Sequence, residues 1–277
     1  MRLTWLLRQR NKDIERNLST TGIMNSLRVT IRPQFERMKD FIHSLPLVFE
    51  AGGEVMQDGR NLIKSFRAPD GTPLVVKRYH KPRGINKLVY SWGIRRPKGE
   101  RAYLYPDILA EHGIDTPTPV AYIEERRWGL ISYSYFVSVL HPYRHKCYEW
   151  GNTPSCGYRN IARDLARFTA RLHDCGILHR DYSPGNILWE QVDGEYRFAL
   201  VDINQLRFGP VGLRAGCRNF ARLWGQTEFF CLLAREYALQ RHFDEERVLY
   251  YVLKYRTKFW KRYRRRKPEK ILFDLDI

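Results

Sequence analysis

The sequence predicts an α+β fold of two lobes, with strands early, helices late and a junction near residue 140. Alternating and β-branched runs crowd residues 27–139, while apolar side chains at helical spacing dominate from residue 158 onward. At 277 residues the chain is long enough for one large domain or two lobes around a packed core. With 43% hydrophobic and 14% aromatic residues it is no disordered chain, and 19 Gly with 14 Pro exclude collagen-like and low-complexity sequences.

Residues 1–24 are basic and aperiodic, and read as a flexible leader or as a stretch upstream of a start at Met24. Leu27-Arg28-Val29-Thr30-Ile31 alternates as a strand does, and Pro33 closes it. Phe35, Met38, Phe41 and Ile42 fall on one face of a short helix. Asp70-Gly71 is a strong turn signal between two strand-like runs, Asn61 to Phe66 and Pro73 to Tyr79. A helix is expected over 98–113; Thr116-Pro117-Thr118-Pro119 breaks it, and Val120 to Val139 holds two more strands. Ile161, Leu165, Phe168 and Leu172 mark a helix from Tyr158 to Asp174, and beyond residue 210 the pattern is helical throughout. The lobes are accordingly expected at 25–138, an antiparallel sheet plus one helix, and at 139–277, mostly helical.

With 48 Lys+Arg against 30 Asp+Glu the formal charge is +18, which calls for an anionic partner: nucleic acid, a membrane surface or a phosphorylated substrate. Five scattered cysteines without C-x-x-C spacing argue against a disulfide scaffold and for a reducing compartment. Cys147 and Cys156 lie near His141 and His145, but at no standard zinc spacing. The N-terminal apolar run is only Trp5-Leu6-Leu7, and no stretch approaches the ~20 apolar residues of a membrane span. A cytosolic protein, at most lying on a membrane, is expected.

The most informative stretch is His179-Arg180-Asp181-Tyr182-Ser183-Pro184-Gly185-Asn186-Ile187-Leu188-Trp189, which contains H-R-D-x-x-x-x-N intact, the catalytic-loop pattern of the protein-kinase fold. The spacing lets Asp181 accept a hydrogen bond from an attacking hydroxyl while Asn186 folds back to a metal ion on the phosphates. His179 and Arg180 read as braces of the loop. Asp193-Gly194 then turns into Phe198-Ala199-Leu200-Val201, which delivers Asp202, the expected Mg²⁺ carboxylate, in a D-I-N triplet where kinases carry D-F-G.

Upstream, Leu74-Val75-Val76-Lys77 resembles the V-A-I-K strand whose Lys holds nucleotide phosphates; an ammonium on an apolar strand is costly without an anion. Glu100 is the first candidate for its carboxylate partner, ahead of Glu111 and Asp107. No G-x-G-x-x-G occurs, and the turn Gln57-Asp58-Gly59-Arg60-Asn61 stands where the phosphate-covering loop belongs, with Gly59, Arg60 and backbone N–H groups as its donors. Lys77, a helix, the 179–186 loop and a hairpin ending in Asp202 follow in kinase order, so the fold expected is bilobal and protein-kinase-like.

No long segment ending in A-P-E follows Asp202, so a peptide substrate is not expected. From about residue 27 onward the chain resembles the lipopolysaccharide kinase (Kdo/WaaP) family. The residues that carry the likeness are Gly59-Arg60-Asn61, Val75-Val76-Lys77-Arg78-Tyr79, Gly113 to Pro119, and the His179–Trp189 block with Val201-Asp202-Ile203-Asn204. The resemblance implies ATP-dependent phosphorylation of an inner-core sugar, Kdo or heptose, of lipopolysaccharide at the cytoplasmic face of a Gram-negative inner membrane. It implies Asp181 as base or hydroxyl orienter, Lys77 on ATP phosphates, and Asn186 and Asp202 on Mg²⁺. By order along the chain, adenine is expected against Tyr135 to Val139. A kinase of an aminoglycoside-like or choline-like metabolite, and a non-catalytic kinase-fold binding protein, stay open beside it.

From Lys254 to Lys270 ten Lys/Arg face one acid, Glu269, and Tyr255, Phe259 and Tyr263 recur every four residues beside Trp260. Three readings are open: docking on anionic lipid, aromatics packed on the lobe with solvated cations, and nucleic-acid binding, which ranks last. An acidic glycolipid substrate agrees with the first.

Overall fold

A computed structural model of the chain describes residues 25–150 and 155–266. The expected leader, residues 1–24, and the end of the basic segment, 267–270, lie outside the described residues. The chain divides into two compact units, one running to Pro106 with Pro117–Leu140, the other Asp107–Thr116 with the residues from His141 onward.

The first unit holds a six-stranded antiparallel sheet of β1 (Asn25–Ile31), β2 (Glu54–Asp58), β3 (Leu62–Arg67), β4 (Pro73–Tyr79), β5 (Pro119–Arg127) and β6 (Leu130–Val139), in the order β1-β5-β6-β4-β3-β2. Asp70 closes the β3–β4 turn by accepting from the Thr72 amide at 3.0 Å. Alternation puts Leu74, Val76, Ile123 and Val137 on one face, fully buried against Ile42 and Leu45 of α1 (Lys39–Val48). Each such side chain contributes roughly 2 kcal/mol of burial. The helix expected around Phe35 starts as a 3-10 turn, Pro33–Met38, before α1 takes over. Lys64 of β3 is buried, its ammonium donating to the carbonyls of Phe49, Glu50 and Gly52 at 2.7, 2.9 and 2.9 Å, so it caps the end of α1.

The opposite sheet face is polar. Directly opposed residues of antiparallel strands share a face. One row therefore reads Ile63, Lys77, Phe136, Tyr122, Thr30, and a second Tyr79, Ser134, Glu124, Arg28. On it lies α3 (Lys98–Glu111), which approaches so closely that a Cβ on Gly99 would sit 2.7 Å from the Tyr122 ring. Between β4 and α3 comes a short α2 (Ile85–Ser91), with no buried residue and with Ile85 exposed, followed by the exposed Trp92 and Ile94.

In the second unit α4 (Ser155–Asp174) buries Ile161, Leu165, Phe168 and Leu172, the stripe the spacing predicts. After α4 come β8 (Ile177–His179), β9 (Ile187–Val192), β10 (Glu195–Leu200) and β11 (Leu206–Phe208). β8 pairs with β11, while β9 pairs with β10 and, on its other side, with β7 (His145–Lys146). Asp193 (φ 54°) and Gly194 (φ 80°) form the β9–β10 turn, both in the left-handed region such a hairpin needs. α5 (Leu213–Asn219), α6 (Thr227–Gln240) and α7 (Glu245–Arg264) complete the unit. Asp244 caps α7 by accepting from the Arg247 amide at 2.8 Å. Among the described residues no helix is long and apolar enough to cross a membrane. No group of three or more His, Cys, Asp or Glu able to hold a metal ion occurs among them either: His145 stacks on Trp189 and His141 faces Asp115, while the Cys156 side chain lies outside the described residues.

Candidate active site

The loop between β8 and β9 is built from its backbone outward. Pro184 starts a single 3-10 turn that ends at Asn186, and the Asn186 side-chain amide donates to the Asp181 carbonyl at 2.9 Å. This bond holds the two candidate residues, five apart in sequence, together across the turn. His179 braces the loop as expected. Its Nδ1 accepts from the Asp181 amide at 3.1 Å, which leaves Nε2 to carry the proton and donate to the Val201 carbonyl at 3.1 Å. Burial pushes the His179 imidazole below its ordinary range, so it is neutral at pH 7.

A buried chain of hydrogen bonds reaches the same loop from behind. The Tyr237 hydroxyl meets His173 Nδ1 at 2.8 Å, His173 Nε2 meets the Asn219 carbonyl oxygen at 2.9 Å, and the Asn219 amide donates to the His179 carbonyl at 2.7 Å. Desolvation lowers His173 to about 4. Four elements, α6, α4, α5 and β8, are thereby pinned to one another behind Asp181.

Asp181 also pairs with Arg222, whose guanidinium donates to one carboxylate oxygen. Sequence reasoning missed Arg222, which belongs to no motif. Asp202 sits in the left-handed region at φ 55° and ψ 40°, rare for a non-glycine residue. Its carboxylate accepts from the Asn204 side-chain amide. Asn204, standing where D-F-G has its glycine, is thus what aims the carboxylate, a role the sequence analysis did not give it. The Asn186 carbonyl accepts from the Val201 amide at 3.0 Å, tying the two metal-binding candidates through adjacent backbone. Just upstream, Asp115 and Thr116 of the Gly113–Pro119 stretch bond the Leu200 amide and carbonyl at 2.9 and 2.7 Å.

These residues fit a magnesium ion. With its amide nitrogen on the Asp181 carbonyl, Asn186 has its oxygen to offer, and Asp202 supplies a carboxylate. Both are hard oxygen donors of the kind Mg²⁺ takes together with nucleotide phosphates. The Asn204 oxygen is buried without a hydrogen-bond partner beside them.

In the first unit, Lys77 lies on the polar face of β4, its ammonium 5.3 Å from the Tyr79 ring centre. Glu100, in the first turn of α3, meets Arg96 at 3.5 Å. Burial raises its carboxyl, with the Arg96 charge opposing and that of Glu124 adding. Gly99 against Tyr122 brings the start of α3 onto the sheet face that Lys77 shares, with Tyr122 two strands from Lys77 along the row, about 10 Å. Gly59 and Arg60 form the exposed tip of the β2–β3 hairpin. Tyr135 and Val137, expected against adenine, are buried in the first unit's core.

The sequence profile of the lipopolysaccharide kinase (Kdo/WaaP) family matches residues 57–235, a span that takes in Lys77, the 179–186 loop and Asp202. The chain belongs to that family. Among solved structures it is similar to WaaP in complex with acyl carrier protein, at 19% identity and a TM-score of 0.54, covering 84% of this chain and 99% of that one. This likeness shows the protein-kinase-like fold. Amicoumacin kinase in complex with AMP-PNP, Ca²⁺ and Ami matches at 12% identity and a TM-score of 0.48, over 87% of this chain and 98% of that one. A curated Caenorhabditis elegans sequence described as ribosomal protein S6 kinase alpha-2 is 36% identical over 73 residues, 26% of this chain and only about a tenth (10%) of that relative. The α+β kinase reading holds although the Gly-rich loop and the D-F-G glycine are both missing.

Proposed function

We propose that this member of the Kdo/WaaP family transfers the γ-phosphoryl group of ATP to a hydroxyl of an inner-core sugar, Kdo or heptose, of lipopolysaccharide. The observation that carries the reading is the joining of Asp181, Asn186 and the Asp202 segment by direct hydrogen bonds within one unit of a family kinase. The acceptor oxygen bonds to the γ-phosphorus, the β–γ bridging oxygen leaves with ADP, and the hydroxyl proton passes to the Asp181 carboxylate. Arg222 fixes that carboxylate's orientation. Asn186 and Asp202 would hold Mg²⁺, which when bound would neutralise charge on the phosphates. Lys77 is assigned to the nucleotide phosphates, with Gly59 and Arg60 covering them and Glu100 orienting the lysine.

The place of action we propose is the cytoplasmic face of the inner membrane, reached through two basic surfaces. On α7, Lys254, Lys261 and Arg264 are exposed, as is Arg265 at its C-terminal end. Residues 81–96 carry five cations and no acid around the exposed Ile85, Trp92 and Ile94, the composition of an interfacial anchor.

Incubation of the purified chain with Mg²⁺-ATP and Kdo-bearing lipid A should give a mass gain of one phosphate on the glycolipid, lost in Asp181→Asn. Turnover on soluble aminoglycosides or choline without any on the glycolipid would overturn the assignment. Vesicle flotation tests the membrane surface: a Trp92→Ser/Ile94→Ser variant should leave anionic vesicles that the parent binds.

A further inference from the structure

We propose that a groove between α5 and α7 binds an anionic substituent, a phosphate or a carboxylate, of the glycan acceptor and so holds the acceptor's hydroxyl at Asp181. The inference rests on the glycolipid-kinase reading and adds to it the recognition element for the acceptor.

Arg214, Arg218 and Arg222 are spaced by four residues, as are Tyr251, Tyr255 and Phe259 on α7. They meet as three rungs, each guanidinium lying over the matching ring at 5.3, 4.8 and 5.6 Å from its centre. The last rung ends the ladder on Asp181 through the Arg222 pair. A groove of about 490 Å³ opens along the second and third rungs, with Arg218, Tyr255 and Phe259 in its wall. Lys258, Arg262, Arg266 and the Tyr263 ring enclose it further. Among the described residues no carboxylate forms an ion pair with Arg218, Lys258, Arg262 or Arg266.

An aromatic face, not an acid, therefore holds Arg218 in place, and the four positive charges of Arg218, Lys258, Arg262 and Arg266 line one concavity without an acidic partner among the described residues. Mutual repulsion makes that arrangement costly until an anion enters. A planar guanidinium can grip a phosphate or carboxylate through two parallel hydrogen bonds. The volume lies within the range of a small-ligand site, and the rings offer apolar area to the C–H face of a sugar. A concave, ring-lined cluster beside the proposed base suits a substituent of the molecule being phosphorylated. The outward cations of α7 suit a flat surface.

Arg218 and Arg262 are exposed, so both can be replaced without opening the core. In detergent micelles, Arg218→Gln/Arg262→Gln should bind Kdo-bearing lipid A at least tenfold more weakly than the parent chain. It should keep the parent's melting temperature and its affinity for Mg²⁺-ATP. Loss of the difference after removal of the lipid A phosphates assigns the ligand group as phosphate. A difference that persists there and disappears on reduction of the Kdo carboxyls assigns it as carboxylate. Equal binding of the charged glycolipid by parent and variant, with phosphoryl transfer intact, overturns the groove and leaves the kinase reading standing. Arginine-dependent binding with no transfer by the parent overturns the kinase reading, and the acceptor role with it. A single-stranded RNA that competes at Arg218 more tightly than the glycolipid also overturns the proposal.

Discussion

Arg222 and Asn204 each hold one of the two candidate carboxylates; Arg222 lies outside every motif, and Asn204 replaces the glycine of D-F-G. Arg222 bonds Asp181 while its guanidinium rests on Phe259, so its orientation is set from α7. Removing it leaves the base present but untethered, and phosphoryl transfer is mainly positioning and electrostatics. Arg222→Gln should therefore lower kcat by about 10- to 100-fold with little change in KM for ATP, read in a coupled ADP-release assay; an unchanged kcat refutes the positioning role. Asn204 acts on the proposed metal ligand in the same indirect way. Loss of an outer partner of a metal-binding side chain typically costs 10–100-fold in metal affinity. For Asn204→Ala we expect the Mg²⁺ concentration giving half-maximal activity to rise by about tenfold, with folding retained. If titration shows parent-like Mg²⁺ dependence, the Asn204 bond does not orient Asp202.

Between elements, the tightest junction is α5 against α6. A Cβ on Gly216 would land on the Tyr237 hydroxyl, with His173 Nδ1 at 3.3 Å. The same hydroxyl begins the chain that runs through His173 and Asn219 to the back of the catalytic loop. Gly216→Ala should destabilise by about 1–3 kcal/mol through overpacking, measured by urea unfolding, and Tyr237→Phe in the same chain should restore part of the loss by clearing the oxygen. Additive effects of the two changes would show that the clash is not where the geometry puts it. The sequence could not announce this junction, because a glycine within a helical run gives no hint of what it touches. It did announce β3, β4, β9 and β10, whose faces differ in polarity and whose turns carry Asp-Gly pairs. β2, with all five residues exposed, has no alternation to read, and α2 buries nothing. The candidate site was legible where chemistry fixes residue type and spacing together, as in Asp181 and Asn186, which the structure joins by a hydrogen bond. Arg222 and the Arg–ring ladder were not, because they depend on which helices meet.

At the scale of the whole molecule, the buried histidines tie stability to pH. An unfolded histidine takes up a proton near pH 6.5. Folded His173, desolvated by burial, does so only at about 4, and His179 is lowered for the same reason. Between those values the unfolded chain binds more protons than the folded one, so stability rises with pH across the window. It is fully present above about pH 6.5 and is lost as pH falls toward 4. His173 alone accounts for about 3 kcal/mol over that span. Glu100 runs in the opposite sense, since burial raises its carboxyl and folding there favours the protonated form. Unfolding at pH 7.5, 6.0 and 5.0 should show stability falling with acidity if the two histidines outweigh this one carboxyl, and His173→Gln should flatten much of the slope. Protonation of His173 breaks the bond Nδ1 accepts from Tyr237, and protonation of His179 breaks the bond its Nδ1 accepts from the Asp181 amide. Catalytic activity should therefore decline on the acid side together with stability, and a wild-type stability that is level between pH 7.5 and 5.0 would mean that neither ring is held neutral by its surroundings.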